Sequence, residues 1–284
     1  MRAKLYLISA MLIFGTIGLF VREINLPSSE LALVRGIIGT ACLLLFFVSR
    51  KQKSSIRNIR SNLWILLYSG AAIGFNWILL FEAYRYTTIS NATLSYYFAP
   101  VFVIMVSPLL LKEKLTITKL VCIAGSVIGM FLVVGLDGTK AENHLLGIVL
   151  GLGAAALYAS VVVSNKFLKQ ISGLESTIIQ LFMASIVLLP YVLFTQEIQI
   201  FQSGGKTILL AVFVGIVHTG LAYLLYFSSL KELKGQTAAM LSYIDPVTAI
   251  LLSGFLLNET MGKTQIIGAI LILGLTFISE HKKG

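Results

Sequence analysis

Ten apolar runs, near 5–21, 30–48, 63–83, 91–111, 116–136, 145–164, 175–194, 207–230, 236–257 and 264–279, leave this chain little sequence for a water-facing surface. A helix of about 20 apolar residues spans a bilayer. None of the runs alternates as a strand would, and in lipid a helix satisfies its own backbone hydrogen bonds. Only 12% of the 284 residues are charged, against about 25% in a soluble domain. Ten spans use about 200 residues, and the rest is divided among loops and tails too short for a soluble catalytic domain. The reading is an all-α polytopic membrane protein with 10 transmembrane helices. Pro100, Pro108 and Pro246 predict kinks in the fourth and ninth spans.

The net charge of +10 would suggest a nucleic-acid surface in a soluble protein. Here the charges lie in short loops between apolar runs, so the expected partners are the lipid bilayer and a small-molecule substrate, with no nucleic acid. Monomer or homodimer stays open. Leu5 to Val21 mimics a signal peptide, but Arg22-Glu23-Ile24-Asn25-Leu26-Pro27 follows without a small-residue cleavage pattern; the segment is expected to be a retained first helix. Cys42 and Cys122 sit inside apolar runs and read as packing residues, not a disulfide framework.

With the N-terminus inside, the inner side carries 16 Lys and Arg and the outer side 5, Arg35 lying within a span. That excess predicts both termini in the cytoplasm and an even number of spans in the cell membrane. A repeat then organises the chain. Tyr97-x-x-Pro100-Val101, Leu110-Leu111-x-Glu113 and Thr118 recur 146 residues later as Tyr243-x-x-Pro246-Val247, Leu256-Leu257-x-Glu259 and Thr264. Gly74/Gly220, Phe81/Phe227, Ala92/Ala238, Ile104/Ile250 and Ser107/Ser253 keep the same offset. The expected units are 5–136 and 145–280, five helices each. An odd number makes the second half enter the membrane upside down, with Glu113 facing the cytoplasm and Glu259 the exterior. Inverted repeats of this kind are typical of alternating-access transporters, with the substrate near the midplane.

The stretches Tyr96-Tyr97-Phe98-Ala99-Pro100-Val101 through Pro108-Leu109-Leu110-Leu111-Lys112-Glu113, and Tyr243-Ile244-Asp245-Pro246-Val247 through Leu256-Leu257-Asn258-Glu259, resemble the signature "aPv…lllgE" of the EamA-type members of the drug/metabolite transporter superfamily. The resemblance covers roughly residues 5–279. It implies two five-helix repeats, a cavity lined mostly by helices 1, 3, 4, 6, 8 and 9, and transport of small organic metabolites. The chain departs from small multidrug-resistance relatives, whose first helix holds a glutamate. Here that helix reads Ile8-Ser9-Ala10-Met11-Leu12-Ile13-Phe14-Gly15-Thr16, with no carboxylate.

Asp245 is the sharpest candidate for substrate binding: it lies ~18 Å deep at about 1.5 Å per residue, where a carboxylate needs a partner or a wet cavity. Its repeat mate is Ala99, so the fold does not demand the charge; capping backbone freed by Pro246 is the rival role. His218 lies at similar depth and is a candidate proton-coupling partner of Asp245, the alternative being a neutral histidine bonded to a neighbouring helix. Arg35 either snorkels outward or turns inward to bind a carboxylate. Asn76 and Trp77, with repeat mates Ala222 and Tyr223, line a cavity or pack a core. Tyr97 and Tyr243 complete the substrate-binding set, within a wider group containing Tyr96, Tyr158 and Tyr226. Glu113 and Glu259 read as structural helix ends. Glu82 and Arg85 read as an interfacial pair. The pairs Gly125/Gly129, Gly70/Gly74 and Gly147/Gly151 read as close helix contacts.

The expected function is a secondary transporter, an exporter of amino acids or related amphipathic solutes, working by alternating access with proton coupling. A passive facilitator of the same fold is the alternative. His-Glu-x-x-His and Gly-x-Ser-x-Gly are absent, so an enzyme is not expected. The chain has no phosphate-binding Gly-x-x-x-x-Gly-Lys loop. No cofactor and no metal site are expected.

Overall fold

The computed structural model describes residues 2–50, 56–134, 144–256 and 262–281. Among them are helices and short turns, and no strand. The first half contains α1 (Arg2–Val21), α2 (Ser28–Ser49), α3 (Ile56–Tyr86), α4 (Ile89–Tyr96), α5 (Ala99–Leu110) and α6 (Ile117–Val134). The second contains α7 (His144–Asn165), α8 (Gly173–Thr195), α9 (Gly205–Val214), a π-helical turn (Gly215–Leu221), α10 (Ala222–Leu230), α11 (Gly235–Leu241), α12 (Ile244–Leu256) and α13 (Lys263–His281).

Seven of the described helical stretches are long and apolar enough to cross a membrane, while Ile117–Leu132 and Ile266–Ser279 are shorter apolar helices. The ninth apolar run is divided into α11 and α12 at Ser242 and Tyr243. Its mate, the fourth run, divides at Tyr97 and Phe98 between α4 and α5. Pro100 and Pro246 sit in the first turn of α5 and α12 respectively, where a missing N–H leaves no intrahelical bond unmade. The prolines therefore start new helices instead of bending continuous ones. The eighth run also differs from a uniform helix, since the π-helical turn interrupts it around His218. Its mate in α3 is regular throughout.

Contacts fix the direction of each helix. His144 at the start of α7 meets Thr87 just after α3 (Nδ1 to Oγ1, 2.7 Å). Ser29 at the start of α2 donates to Gln196 just after α8 at 2.8 Å. These positions share one end of the bundle, the mouth end. At the opposite, base end, the Glu113 carboxylate after α5 accepts from the backbone of Gly235 and Gln236 at 2.6 and 3.1 Å. α1 thus runs from base to mouth and α7 from mouth to base, so the halves lie head to foot. They also interdigitate: α3 packs on α7 and α8, α6 on α13, and α1 on α10 and α12.

Small residues permit these approaches. A Cβ on Gly74 would lie 2.9 Å from the Ala184 carbonyl of α8, one on Gly129 3.0 Å from the Gly268 carbonyl of α13, and one on Gly151 3.0 Å from the Ala92 carbonyl of α4. At the mouth, fully buried Glu30 accepts from the backbone of Gln199 (2.9 Å) and Ile200 (2.7 Å). Those bonds offset the desolvation of the carboxylate and tie the loop after α8 to α2.

Candidate functional site

A cavity of about 580 Å³ opens at the mouth end, within the size range of small-molecule sites. Val21, Ser28 and Ile89 rim it, and Met11, Tyr158, Tyr223, Ser242 and Asp245 lie deepest. Its walls are mostly apolar and aromatic. One side of α1 contributes Met11, Phe14, Gly15, Gly18 and Val21, the three-and-four spacing of a single helix face.

Two opposite charges enter this cavity. Arg35, one and a half to two turns into α2, lines it with its guanidinium 5.1 Å from the centre of the Trp77 ring. An aromatic face attracts a cation, and this contact turns Arg35 inward. Its Nε is buried with no hydrogen-bond partner among the described residues. Asp245 lines the cavity from the first turn of α12, within hydrogen-bonding reach of the Tyr97 side chain. Among the described residues, no ion pair joins Arg35 to Asp245. The break between α11 and α12 is what brings Asp245 to the wall.

Aromatic rings make the floor. Trp77 meets its repeat mate Tyr223 edge to face at 6.2 Å, Phe14 lies 5.2 Å from Tyr223, and Tyr158 lies 5.8 Å from Tyr96 and stacks on Tyr226 at 6.0 Å. Below it the bundle is packed shut. Tyr226, Phe227, Leu230 and Tyr243 are fully buried, whereas their mates Leu80, Phe81, Tyr84 and Tyr97 all line the open cavity. The same four positions thus line the cavity in one half and are sealed in the other.

Of the candidate binding residues, the cavity brings together Arg35, Trp77, Tyr97 and Asp245. Tyr243 lies beneath, its hydroxyl donating to the Tyr97 carbonyl at 3.4 Å. Asn76 faces away from the cavity and donates to the Ala154 carbonyl of α7 at 2.6 Å. His218 sits behind the α1 wall, with Nε2 2.8 Å from Thr16 Oγ1 and its ring 5.2 Å from Phe20 and 5.8 Å from Phe213. Asp245 is not among these neighbours. Glu82 pairs with Arg85 at 3.0 Å and also accepts from the Tyr191 hydroxyl. Glu259 lies outside the described residues.

Reading residue types alone passed over Phe14, Tyr84 and Thr93, all of which line the cavity. The glycine-bearing face of α1 is the sequence signal that would have found Phe14. Glu30 was missed as well, because only the fold shows which backbone groups it binds.

A head-to-foot bundle of apolar, membrane-length helices around a cavity open at one end is the architecture of a multi-pass membrane protein. A family model described as EamA-like transporter family matches twice, over residues 1–135 and 145–279. The chain belongs to that family, within the drug/metabolite transporter superfamily. It is 28% identical over 286 residues to "Uncharacterized transporter YxxF" of Bacillus subtilis (strain 168), covering 99% of this chain and 91% of the relative. An "Uncharacterized transporter" of Archaeoglobus fulgidus is 29% identical, with 94% and 92% covered. "Protein PecM" of Dickeya dadantii (strain 3937) is 28% identical, with 77% and 74% covered. A solved crystal structure with 19% identity superposes with a TM-score of 0.86, covering 99% of each chain, and shares the fold.

Proposed function

We propose that the protein is a secondary transporter that exports a small zwitterionic or amphipathic metabolite, such as an amino acid, across the cell membrane by alternating access. The carrying observation is a guanidinium and a carboxylate that enter one apolar, aromatic cavity without pairing to each other. A buried charge is costly unless paired, and a zwitterion supplies both partners at once. Its carboxylate would meet Arg35, its ammonium group Asp245 and Tyr97, and its side chain the rings of Trp77, Phe14 and Tyr223. A phosphorylated substrate would find one cation facing a carboxylate.

In this reading the chain has ten spans, and the excess of Lys and Arg in loops at the base end supports a cytoplasmic position for that end and both termini. The cavity then faces outward. Buried positions at the base and exposed mates at the mouth support a second state in which the roles exchange. Movement of solute, not its chemical alteration, is the function this supports.

Proton coupling falls to Asp245, which lies in the cavity, with His218 one layer behind. The test is export from cells or proteoliposomes of wild type and Asp245→Asn across about pH 5.5 to 8. Asp245→Asn is expected to abolish transport or remove its pH dependence at near-normal membrane abundance. Unchanged kinetics at every pH would take Asp245 out of the mechanism. Flux indifferent to a proton gradient and without counterflow would favour the passive facilitator.

A further inference from the structure

The base end is closed by one short turn, Lys231 to Lys234, joining α10 to α11. Polar groups from elsewhere in the fold hold both sides of it. Lys166, just past α7, donates to the carbonyl of Leu230, the last residue of α10. Lys231 donates to the Ile171 carbonyl in the connection from α7 to α8. On the other side, Glu113 accepts from the backbone N–H groups of Gly235 (2.6 Å) and Gln236 (3.1 Å). The N-cap residue of α11, Lys234, supplies no side-chain hydrogen bond of its own. In contrast, α4, the repeat mate of α11, is capped by its own Thr88, which accepts from Asn91 N–H at 3.2 Å.

The backbone around Glu113 is shaped for this reach. Lys112 has φ 55°, a left-handed conformation that is strained for a non-glycine residue. It turns the chain at the end of α5 and directs Glu113 back across the repeat boundary. Packing accompanies the bonds: a Cβ on Gly235 would lie 2.6 Å from Leu111 and 3.3 Å from the Ser107 hydroxyl. α5 therefore packs closely on α11, while the mate pair, α12 and α4, makes no comparable contact among the described residues. Gly235 is buried, yet its mate Ile89 is 69% exposed at the cavity mouth.

We propose that Glu113 is the latch of the base gate: its two bonds to the start of α11 hold the cavity shut at the base end, and opening there requires their release. This rests on alternating access and adds the residue that sets the balance between the two states. Glu113 binds no substrate in this account. It acts across the two repeats, so its removal shifts the conformational population without altering the cavity.

The test measures thiol labelling at both ends in a Cys42→Ser, Cys122→Ala background. Ala239→Cys reports on the base, where Ala239 is buried, and Thr93→Cys reports on the mouth, where its mate lines the cavity. Glu113→Ala is expected to raise labelling at 239 about tenfold, the scale of one lost charge-assisted pair, and to lower it at 93. Glu113→Gln, which keeps the shape and one acceptor oxygen, is expected to fall between. Glu232→Ala, on the same turn with an exposed side chain, is expected to match the parent.

Opposite shifts at the two positions support the latch. Parental labelling in both Glu113 variants, a rise at both positions, or an equal rise in Glu232→Ala would overturn it. If Glu113→Ala is not recovered as folded protein, Glu113→Gln decides: parental rates then overturn the latch. A saturating mixture of the standard amino acids, supplied on either side of the membrane, separates the two layers of the argument. If it exposes position 239 in the parent while the Glu113 variants stay parental, alternating access stands and the latch falls. If position 239 reacts under no condition, alternating access itself falls.

Discussion

Replacing Arg35 with Met separates binding from folding, because the two effects have opposite signs. Among the described residues the guanidinium has no carboxylate partner, and its buried Nε is unpaired. An unsatisfied buried donor costs about 1–3 kcal/mol. The contact with Trp77 at 5.1 Å returns about 1–2 kcal/mol when desolvated. Met fills the same space without the charge, so the two terms nearly cancel, and thermal stability of the purified protein is expected to match or slightly exceed wild type. Substrate loses a charge-assisted pair worth about 1.5–3 kcal/mol, a rise of roughly 10- to 150-fold in apparent KM. The assays are melting of the detergent-solubilised protein and concentration-dependent export. Arg35→Lys is expected to recover only part of the affinity, since an ammonium lacks the planar fork. A marked drop in stability with export unchanged would refute the reasoning and return Arg35 to a structural role.

Three further substitutions test neighbouring parts of the argument. Asn76→Ala removes the 2.6 Å bond from α3 to the Ala154 carbonyl; it is expected to cost about 1–3 kcal/mol, seen as lower folded yield with unchanged substrate preference. Altered affinity at full yield would put Asn76 in the site instead. Gly15→Ala would place a Cβ 2.8 Å from the Asp245 carbonyl and 2.5 Å from Thr248 Cβ, pushing α1 off α12. It is expected to destabilise the protein, whereas Gly18→Ala, with nothing within 4 Å of the added methyl, is expected to fold normally; equal stability of the two would contradict the close approach. Burial lowers the Lys166 ammonium to about 8 from an ordinary 10.5, against the opposing pull of Glu113. An opened base would return Lys166 to water and to its ordinary value, so between those values the closed form sheds a proton the open form keeps, and raising the pH favours closure. A spin-pair distance across the base should therefore move toward the closed value between about pH 8 and 10.5, and Lys166→Met should abolish that shift.

Much of the architecture was legible in the chain because a bilayer leaves few options. Long apolar runs must be helices, and a repeated Tyr-x-x-Pro pattern locates equivalent helices in the two halves. The small-residue pairs also told which faces meet, since a glycine carbonyl or Cα is the natural seat for a neighbouring backbone. Residue type at estimated depth identified Arg35, Trp77, Tyr97 and Asp245 as candidates, and all four line the cavity. It did not distinguish them from Asn76, at the same depth but bonded to α7, or from His218, held by Thr16 behind the wall. Depth along a helix says nothing about rotation around it, and a single residue step turns a side chain about 100°.

The chain alone therefore determined the helical, membrane-spanning class and its two-fold ancestry, because hydrophobic length and an unbroken 146-residue offset depend only on order along the sequence. Only the packed molecule decided that Arg35 turns inward over Trp77, that the prolines begin α5 and α12, and that Glu113 reaches across to α11. It also decided which end stands open. That choice rests on cross-repeat contacts between residues far apart in sequence.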